Sequence, residues 1–189
     1  MDSSPDPLSP LQDLAAYALP ADWSPGASRL RQAIWFVVGS PLLANRWLPG
    51  SAWRCWLLKR FGATLGPGCR VKPGFRVKFP WRLATGSHCW LGEDAWVDNL
   101  APVSLGDRVV LSQGVYLCTG NHNFRHPSFA LMAQPIELGH DVWLGAKAVV
   151  APGTVVQAGA VVGLAAVVSG VIPPRVVVRG NPGTITAQR

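Results

Sequence analysis

Over residues 138–172 an aliphatic side chain returns at every sixth position: Leu138, Leu144, Val150, Val156, Val162 and Val168. Four positions after each come Val142, Ala148, Thr154, Ala160, Ala166 and Ile172. A helix returns side chains to one face every 3.6 residues and a strand every two, so neither produces this rhythm. A triangular coil does, if each six-residue unit forms one flat side, turns at a small or Gly residue, and about three units close before the next coil stacks. The same spacing reads backward through Leu65, Val71 and Val77, slips by two, and resumes at Thr85, Leu91 and Val97. After a second slip, Leu105, Leu111 and Leu117 carry it to Asn123, where it stops until Ile136 and Leu138. The pattern predicts an all-β solenoid of about five coils. Its parts are an irregular arm over 1–28, a short helical cap over 29–62, a parallel β-helix over 63–173 with a loop insertion at 121–137, and a strand or tail over 174–189.

Composition supports a single domain. The chain has 189 residues, 49% hydrophobic and 14% charged, enough apolar material to fill a long interior and too little charge for a disordered chain. Many of the 20 Gly and 17 Pro fall at predicted corners, such as Pro67-Gly68, Pro73-Gly74 and Pro152-Gly153. Cys55, Cys69, Cys89 and Cys118 form no Cys-x-x-Cys pair and no secretory signal opens the chain, so reduced thiols in a cytoplasm are expected.

The net charge of +7 comes without a helix-turn-helix, zinc-finger or RNA-reading motif, which argues against a nucleic-acid partner. Much of it sits in the Trp-rich first half, from Arg29 and Arg31 through Lys59 and Arg60 to Arg82. Residues 27–39 and 52–61 read as helices; neither approaches the roughly 20 apolar residues of a membrane crossing, and Pro41 breaks the first run. They either cap the open first coil, hiding its sheet edge, or touch the inner face of a membrane, where Trp and basic residues are favoured. The Ser- and Pro-rich arm is expected to carry no chemistry.

The interruption over 121–135 is an insertion the coil core does not require, and long loops on rigid scaffolds carry function. It holds His122 and His126. An imidazole can take a proton from a hydroxyl and return it to a leaving thiolate; a loop His can equally be solvated and inert.

The stretches Asn99-Leu100-Ala101-Pro102, Leu111-Ser112-Gln113-Gly114-Val115-Tyr116-Leu117-Cys118-Thr119-Gly120-Asn121-His122, Gly139-His140-Asp141-Val142-Trp143-Leu144-Gly145 and Val178-Arg179-Gly180-Asn181-Pro182 resemble the hexapeptide-repeat O-acetyltransferases, within them the colanic-acid-biosynthesis branch. The resemblance covers roughly residue 30 onward. It implies a left-handed parallel β-helix, an exception to the usual right-handed crossover, a homotrimer with sites between subunits, acetyl-CoA as donor without a metal, and a sugar hydroxyl of an exopolysaccharide or surface glycan as acceptor. It implies His122 as general base, while His126 has no counterpart. Asn99 falls where relatives hold the acceptor, with Asp98 the weaker candidate, although an Asn at a corner also caps backbone groups. Trp143 matches a Trp beside the catalytic pocket, or else covers the core of its own coil.

For the donor, the small residues Gly145, Ala146, Ala160 and Gly163 would let a pantetheine arm lie close along the coils. Relatives hold the CoA phosphates with cations in a Thr-Lys-Asp segment and after Gly-Asn-Pro-Ala. Ser169-Gly170-Val171 and Gly183-Thr184 stand there instead, leaving Lys147, Arg175 and Arg179 as substitutes. Asn123 replaces the Asp that follows the catalytic His in the nearest relatives, so a backbone carbonyl or another group must orient His122. Two rival readings are a zinc enzyme like the γ-class carbonic anhydrases, for which His88, His122 and His126 are only loosely spaced, and a non-catalytic solenoid that binds a partner through its basic, Trp-rich cap.

Overall fold

A side of six residues leaves room for a two- or three-residue strand and a turn, and the computed structural model, which describes residues 11–189, is built that way. In Arg70–Val71, Trp90–Leu91 and Trp143–Leu144 the first residue faces out and the repeat residue faces in. The strands stack in parallel on three faces. The first face runs Thr64–Leu65, Leu83–Thr85, Val103–Leu105, Ile136–Leu138, Val155–Val156, Val171–Ile172. The second runs Arg70–Val71, Trp90–Leu91, Val110–Leu111, Trp143–Leu144, Val161–Val162, Val176–Arg179, and the third Arg76–Val77, Trp96–Asp98, Tyr116–Cys118, Val149–Val150, Val167–Val168. The product is a left-handed parallel β-helix of about 6 turns with short helices on its N-terminal side.

The interior is a stack of repeat residues. Val71, Leu91, Leu111, Leu144, Val162 and Val178 follow one another up the second face, all buried, each worth about 1.5–3 kcal/mol relative to exposure. Two corners turn through left-handed backbone, one column being Gly68, His88, Arg108, Asp141, Gly159 and Arg175, the other Gly74, Asp94, Gly114, Lys147 and Ala165. Glycine is required where the backbone of the next coil presses in: a Cβ on Gly66 would lie 2.6 Å from the Gly86 backbone.

The breaks in the periodicity, including a shortened step from Val168 to Ile172, all fall at the remaining corner, between the third and first faces. There Asn99 is wholly buried, accepting from the Phe79 N–H at 2.9 Å and donating to the Phe79 carbonyl at 2.8 Å. One coil on, buried Thr119 accepts from the Ala101 N–H and donates to the Asp98 carbonyl, both at 3.0 Å. Chain inserted at this corner leaves the three faces in register, because the polar ladder replaces the missing turn.

The first helix starts at its Ser28 cap and runs α1 (Arg29–Ile34), a π-helical turn (Trp35–Gly39) and α2 (Ser40–Ala44). It passes through Pro41 instead of breaking, because the wider π turn removes the demand for the donor that proline lacks. Trp35, Gly39 and Leu43 face the core, and the Trp35 indole donates to the Lys78 carbonyl at 2.9 Å. The buried Arg54 of α3 (Ala52–Arg60) donates to the carbonyls of Leu43, Asn45, Leu48 and Gly50, which fixes the helical connection; burial lowers its pKa.

The coil also continues past the expected end of the solenoid. Val176 and Val178 still alternate inward, so Val176–Arg179 forms a further strand, and Thr184–Gln188 pairs antiparallel with it. The chain divides into two compact units: the solenoid and helices (25–120 and 133–189), and the arm to Ser24 with 121–132. Residues 1–10 of the expected arm lie outside the described residues. Replacement Asn99→Ala would remove both side-chain bonds to the Phe79 backbone, while the Phe79 carbonyl keeps the Arg82 N–H, costing about 1–3 kcal/mol in equilibrium urea unfolding.

Candidate active site

The insertion is a hairpin. Gly120–His122 pairs with Leu131–Ala133, and the Asn123 N–H closes the next rung on the Ala130 carbonyl at 2.9 Å. Phe129 sits at φ 47°, a left-handed conformation rarely taken by a bulky residue, held by its N–H to the His126 carbonyl at 2.9 Å. That turn presents both the ring and the carbonyl of Phe129 to His122. The rings stack at 4.3 Å with 6° between planes, and Nδ1 of His122 lies 2.8 Å from the Phe129 carbonyl. A carbonyl only accepts, so Nδ1 carries the proton and Nε2 keeps its lone pair. Tyr17 of the arm stands against the same ring at 5.9 Å, so the arm expected to lack chemistry contributes a wall.

The neighbouring polar residues are otherwise engaged. The Asn123 side chain accepts from the Arg125 N–H at 3.2 Å, and His126 bonds Ser128 at 2.8 Å. Among the described residues no group of three or more His, Cys, Asp or Glu is placed to hold a metal ion.

On the third face, Asp98 points outward, its side chain mostly buried. Tyr116 donates to its Oδ2 at 3.2 Å, and the Lys78 ammonium stands 3.1 Å from Oδ1, which is buried and has that ionic partner in place of a hydrogen bond. Burial, with Cys118 and the Asp98 charge beside it, pushes the Tyr116 phenol up, so it remains a donor. Tyr116 stacks on Trp96 at 4.8 Å. Asn99, by contrast, has no solvent-facing atom and both amide groups bonded to Phe79; it is a corner cap, whereas Asp98 faces outward with only a small part of its side chain exposed. Trp143 lies half-exposed on the second face, its indole donating to Ser112 at 2.9 Å.

Five of the expected donor-side residues meet at one corner. Gly145, Ala146 and Lys147 belong to one coil, Gly163 to the next and Arg179 to the one after; a Cβ on Gly163 would lie 3.2 Å from Arg179. Ala160 and Arg175 are not among them. Ala160 faces the core with its N–H bonded to Gln157 and its carbonyl to Trp143, so it has nothing to offer a ligand. Arg175 is the corner residue before the strand that Arg179 ends, about 13 Å away along a four-residue rise. The antiparallel return brings Arg189, unremarked in the sequence, to Arg175: its N–H donates to the Arg175 carbonyl and its guanidinium to the carbonyls of Asp141 and Gly159. Beneath them Arg108 grips Asp141 at 2.7 and 2.9 Å, holding that carboxyl below its usual range.

Residues 84–118 match the family model for the hexapeptide repeat of succinyl-transferase. The Escherichia coli K12 protein named as the colanic acid biosynthesis acetyltransferase WcaF is 34% identical over 95% of this chain and 98% of its own. The Vibrio cholerae hexapeptide-repeat acetyltransferase VCA0836, solved with acetyl coenzyme A, superposes with a TM-score of 0.73 at 26% identity, covering 86% of this chain and 91% of that one. Galactoside acetyltransferase in complex with coenzyme A gives 0.71 at 26% identity, covering 85% and 80%.

The chain belongs to the hexapeptide-repeat acetyltransferases.

For an acetyltransferase of this family, sequence reasoning missed three groups: Phe129, Tyr17 and Arg189. A backbone carbonyl leaves no residue-type signal, and the other two reach their neighbours only through chain reversal. In long-range proton–nitrogen NMR, His122 is expected to show the Nδ1–H tautomer; an Nε2–H tautomer would contradict the geometry.

Proposed function

We propose that the protein transfers acetyl from acetyl-CoA to a sugar hydroxyl in the biosynthesis of an exopolysaccharide or other surface glycan, with His122 as general base. The observation that carries this reading is the Nδ1 contact with the Phe129 carbonyl, which leaves Nε2 free to take a proton. The names of WcaF and of galactoside acetyltransferase support the saccharide acceptor, and the CoA complexes of VCA0836 and galactoside acetyltransferase support the donor.

The acceptor hydroxyl loses its proton to Nε2 as its oxygen attacks the thioester carbonyl. The tetrahedral oxyanion, stabilised by backbone N–H groups, collapses with cleavage of the C–S bond, and the imidazolium returns the proton to the thiolate, giving the O-acetyl sugar and free CoA. A neutral carbonyl steadies the imidazolium less than a carboxylate would, so Phe129 chiefly sets tautomer and orientation. Asp98, facing outward beside the Tyr116–Trp96 stack, is proposed for the sugar hydroxyls, and Trp143 for a flat wall.

Gly145, Ala146 and Gly163 line the proposed path of the pantetheine arm. Lys147 and Arg179 at their corner, with Arg175 and Arg189 at the next, are proposed for the phosphates in place of the cations at Ser169-Gly170-Val171 and Gly183-Thr184. A homotrimer is supported by the outer surface of the later coils, where Val149, Val155, Val161, Val167 and Val171 point outward as an apolar surface that other copies would cover. The four unpaired cysteines suit a cytoplasmic setting.

His122→Ala is expected to lower kcat about 10²–10⁴-fold with little change in KM for acetyl-CoA, read by thiol release with saccharide acceptors; undiminished turnover would sink the reading. Arg179→Ala and Lys147→Ala should instead raise KM for acetyl-CoA and leave kcat nearly intact. Light scattering should give three times the 20.2 kDa chain mass.

A further inference from the structure

A helix on a protein surface ordinarily buries one apolar stripe and turns a polar face to water. The helical run of α1, the π turn and α2 has no such polar face. Opposite the core-facing Trp35, Gly39 and Leu43, the residues Leu30, Ile34, Val37 and Val38 follow helical spacing and are exposed, Val37 to 75%. Beside this run, exposed Trp56 and Arg60 share one stripe of α3. A shallow groove of about 570 Å³, lined by Ser28, Leu30, Arg31, Ile34, Arg60 and Phe61, joins the two helices into one surface. Trp47, between α2 and α3, is 92% exposed. Exposed aliphatic residues along one helical run, with two exposed indoles in the segments that follow it, mark a surface built to be covered.

Charge selects what covers it. Between Asp22 and Glu93 the chain has no acidic residue, yet it holds eleven of the 17 Lys and Arg; the remaining six cations face all ten acids, so the rest of the chain is net negative. Arg29, Lys59 and Arg60 are exposed around the apolar face, whereas Arg46 is held by Asp94 at 2.6 Å and Arg54 is buried. A second copy meeting this face about a two-fold axis would bring like charge against like. An anionic bilayer matches both halves of the pattern, with Trp and aliphatic side chains at headgroup depth and cations among the phosphates. Among the described residues no helix is long and apolar enough to cross a membrane, so the contact is peripheral.

We propose that this face docks on an anionic lipid surface through Leu30, Ile34, Val37, Trp47 and Trp56, with Arg29, Lys59 and Arg60 pairing with lipid phosphates. The docking goes beyond the acetyl-transfer reading and does not depend on it.

The full-length chain is mixed with vesicles of phosphatidylcholine containing about one-third phosphatidylglycerol, or of phosphatidylcholine alone, and bound protein is measured by co-sedimentation. Partitioning to the anionic vesicles is expected to exceed that to neutral ones at least tenfold and to fall as salt is raised. The double variant Val37→Asp/Trp47→Ala should lose binding tenfold or more with circular dichroism and thermal unfolding unchanged, since both positions are exposed. Lys59→Glu/Arg60→Glu should abolish the preference for anionic lipid. The proposal is overturned by no binding to either vesicle, by undiminished binding of the first variant, or by that variant dissociating an oligomer in sedimentation velocity while vesicle binding stays absent or unaltered. None of these outcomes touches thiol release from acetyl-CoA, so failure here is distinguishable from failure of the catalytic reading.

Discussion

Three flat sides can share one interior only if each delivers a buried side chain at the same height in every coil. That requirement makes the six-residue period necessary, because a side one residue longer would turn its core residue to solvent. It also dictates what the corners are made of. Where the backbones of adjacent coils press together, as at Gly66 beneath Gly86, a Cβ has no room; elsewhere non-glycine residues such as Arg108, Asp141 and Lys147 accept left-handed backbone. Their side chains then project from the edges of the prism, which is why corner positions supply the cations considered for the donor.

Two corners are held to this economy and the third is not. Between the third and first faces, buried Asn99 and Thr119 bond the backbone of adjacent coils and replace the tight turn. Chain length there is free to vary, and the longest insertion leaves at Gly120 and returns at Ala133. A rigid stack thus tolerates a hairpin that folds around its own histidine, with the strained Phe129 supplying ring and carbonyl together. Residues that anchor the corner and residues proposed to do chemistry are next to one another in sequence, yet they face opposite ways: Asn99 is sealed and bonded to backbone, while its neighbour Asp98 turns outward and pairs with Lys78.

The ends of the solenoid solve the edge problem differently. At the C-terminal end the chain reverses and pairs antiparallel with its own last strand on the second face, which also delivers Arg189 to Arg175. The N-terminal end is covered by helices pinned through buried Arg54, whose four carbonyl partners hold the connection between α2 and α3. These helices bury one apolar stripe and display another, so covering the sheet edge accounts for only half of their composition.

The repeat alone determined the solenoid, its three faces and the location of the insertion, because period six is a one-dimensional signal that each coil reads locally. The motifs that follow the repeat led to the family and to His122. Tertiary structure decided what depends on groups distant in the chain or lacking a residue-type signature. The carbonyl that fixes the His122 tautomer belongs to no side chain, and the contact of Tyr17 with that ring joins residues more than a hundred positions apart. Asn99 and Asp98 differ only in which way the strand turns them, and Ala160 is interior because its corner faces the core. The final coil was hidden by the corner between Val168 and Ile172, two residues short of the six-residue step; from Ile172 that step resumes to Val178. Periodicity records which residues share an interior; hydrogen-bond partners and the direction of each side chain emerge only when the coils are stacked.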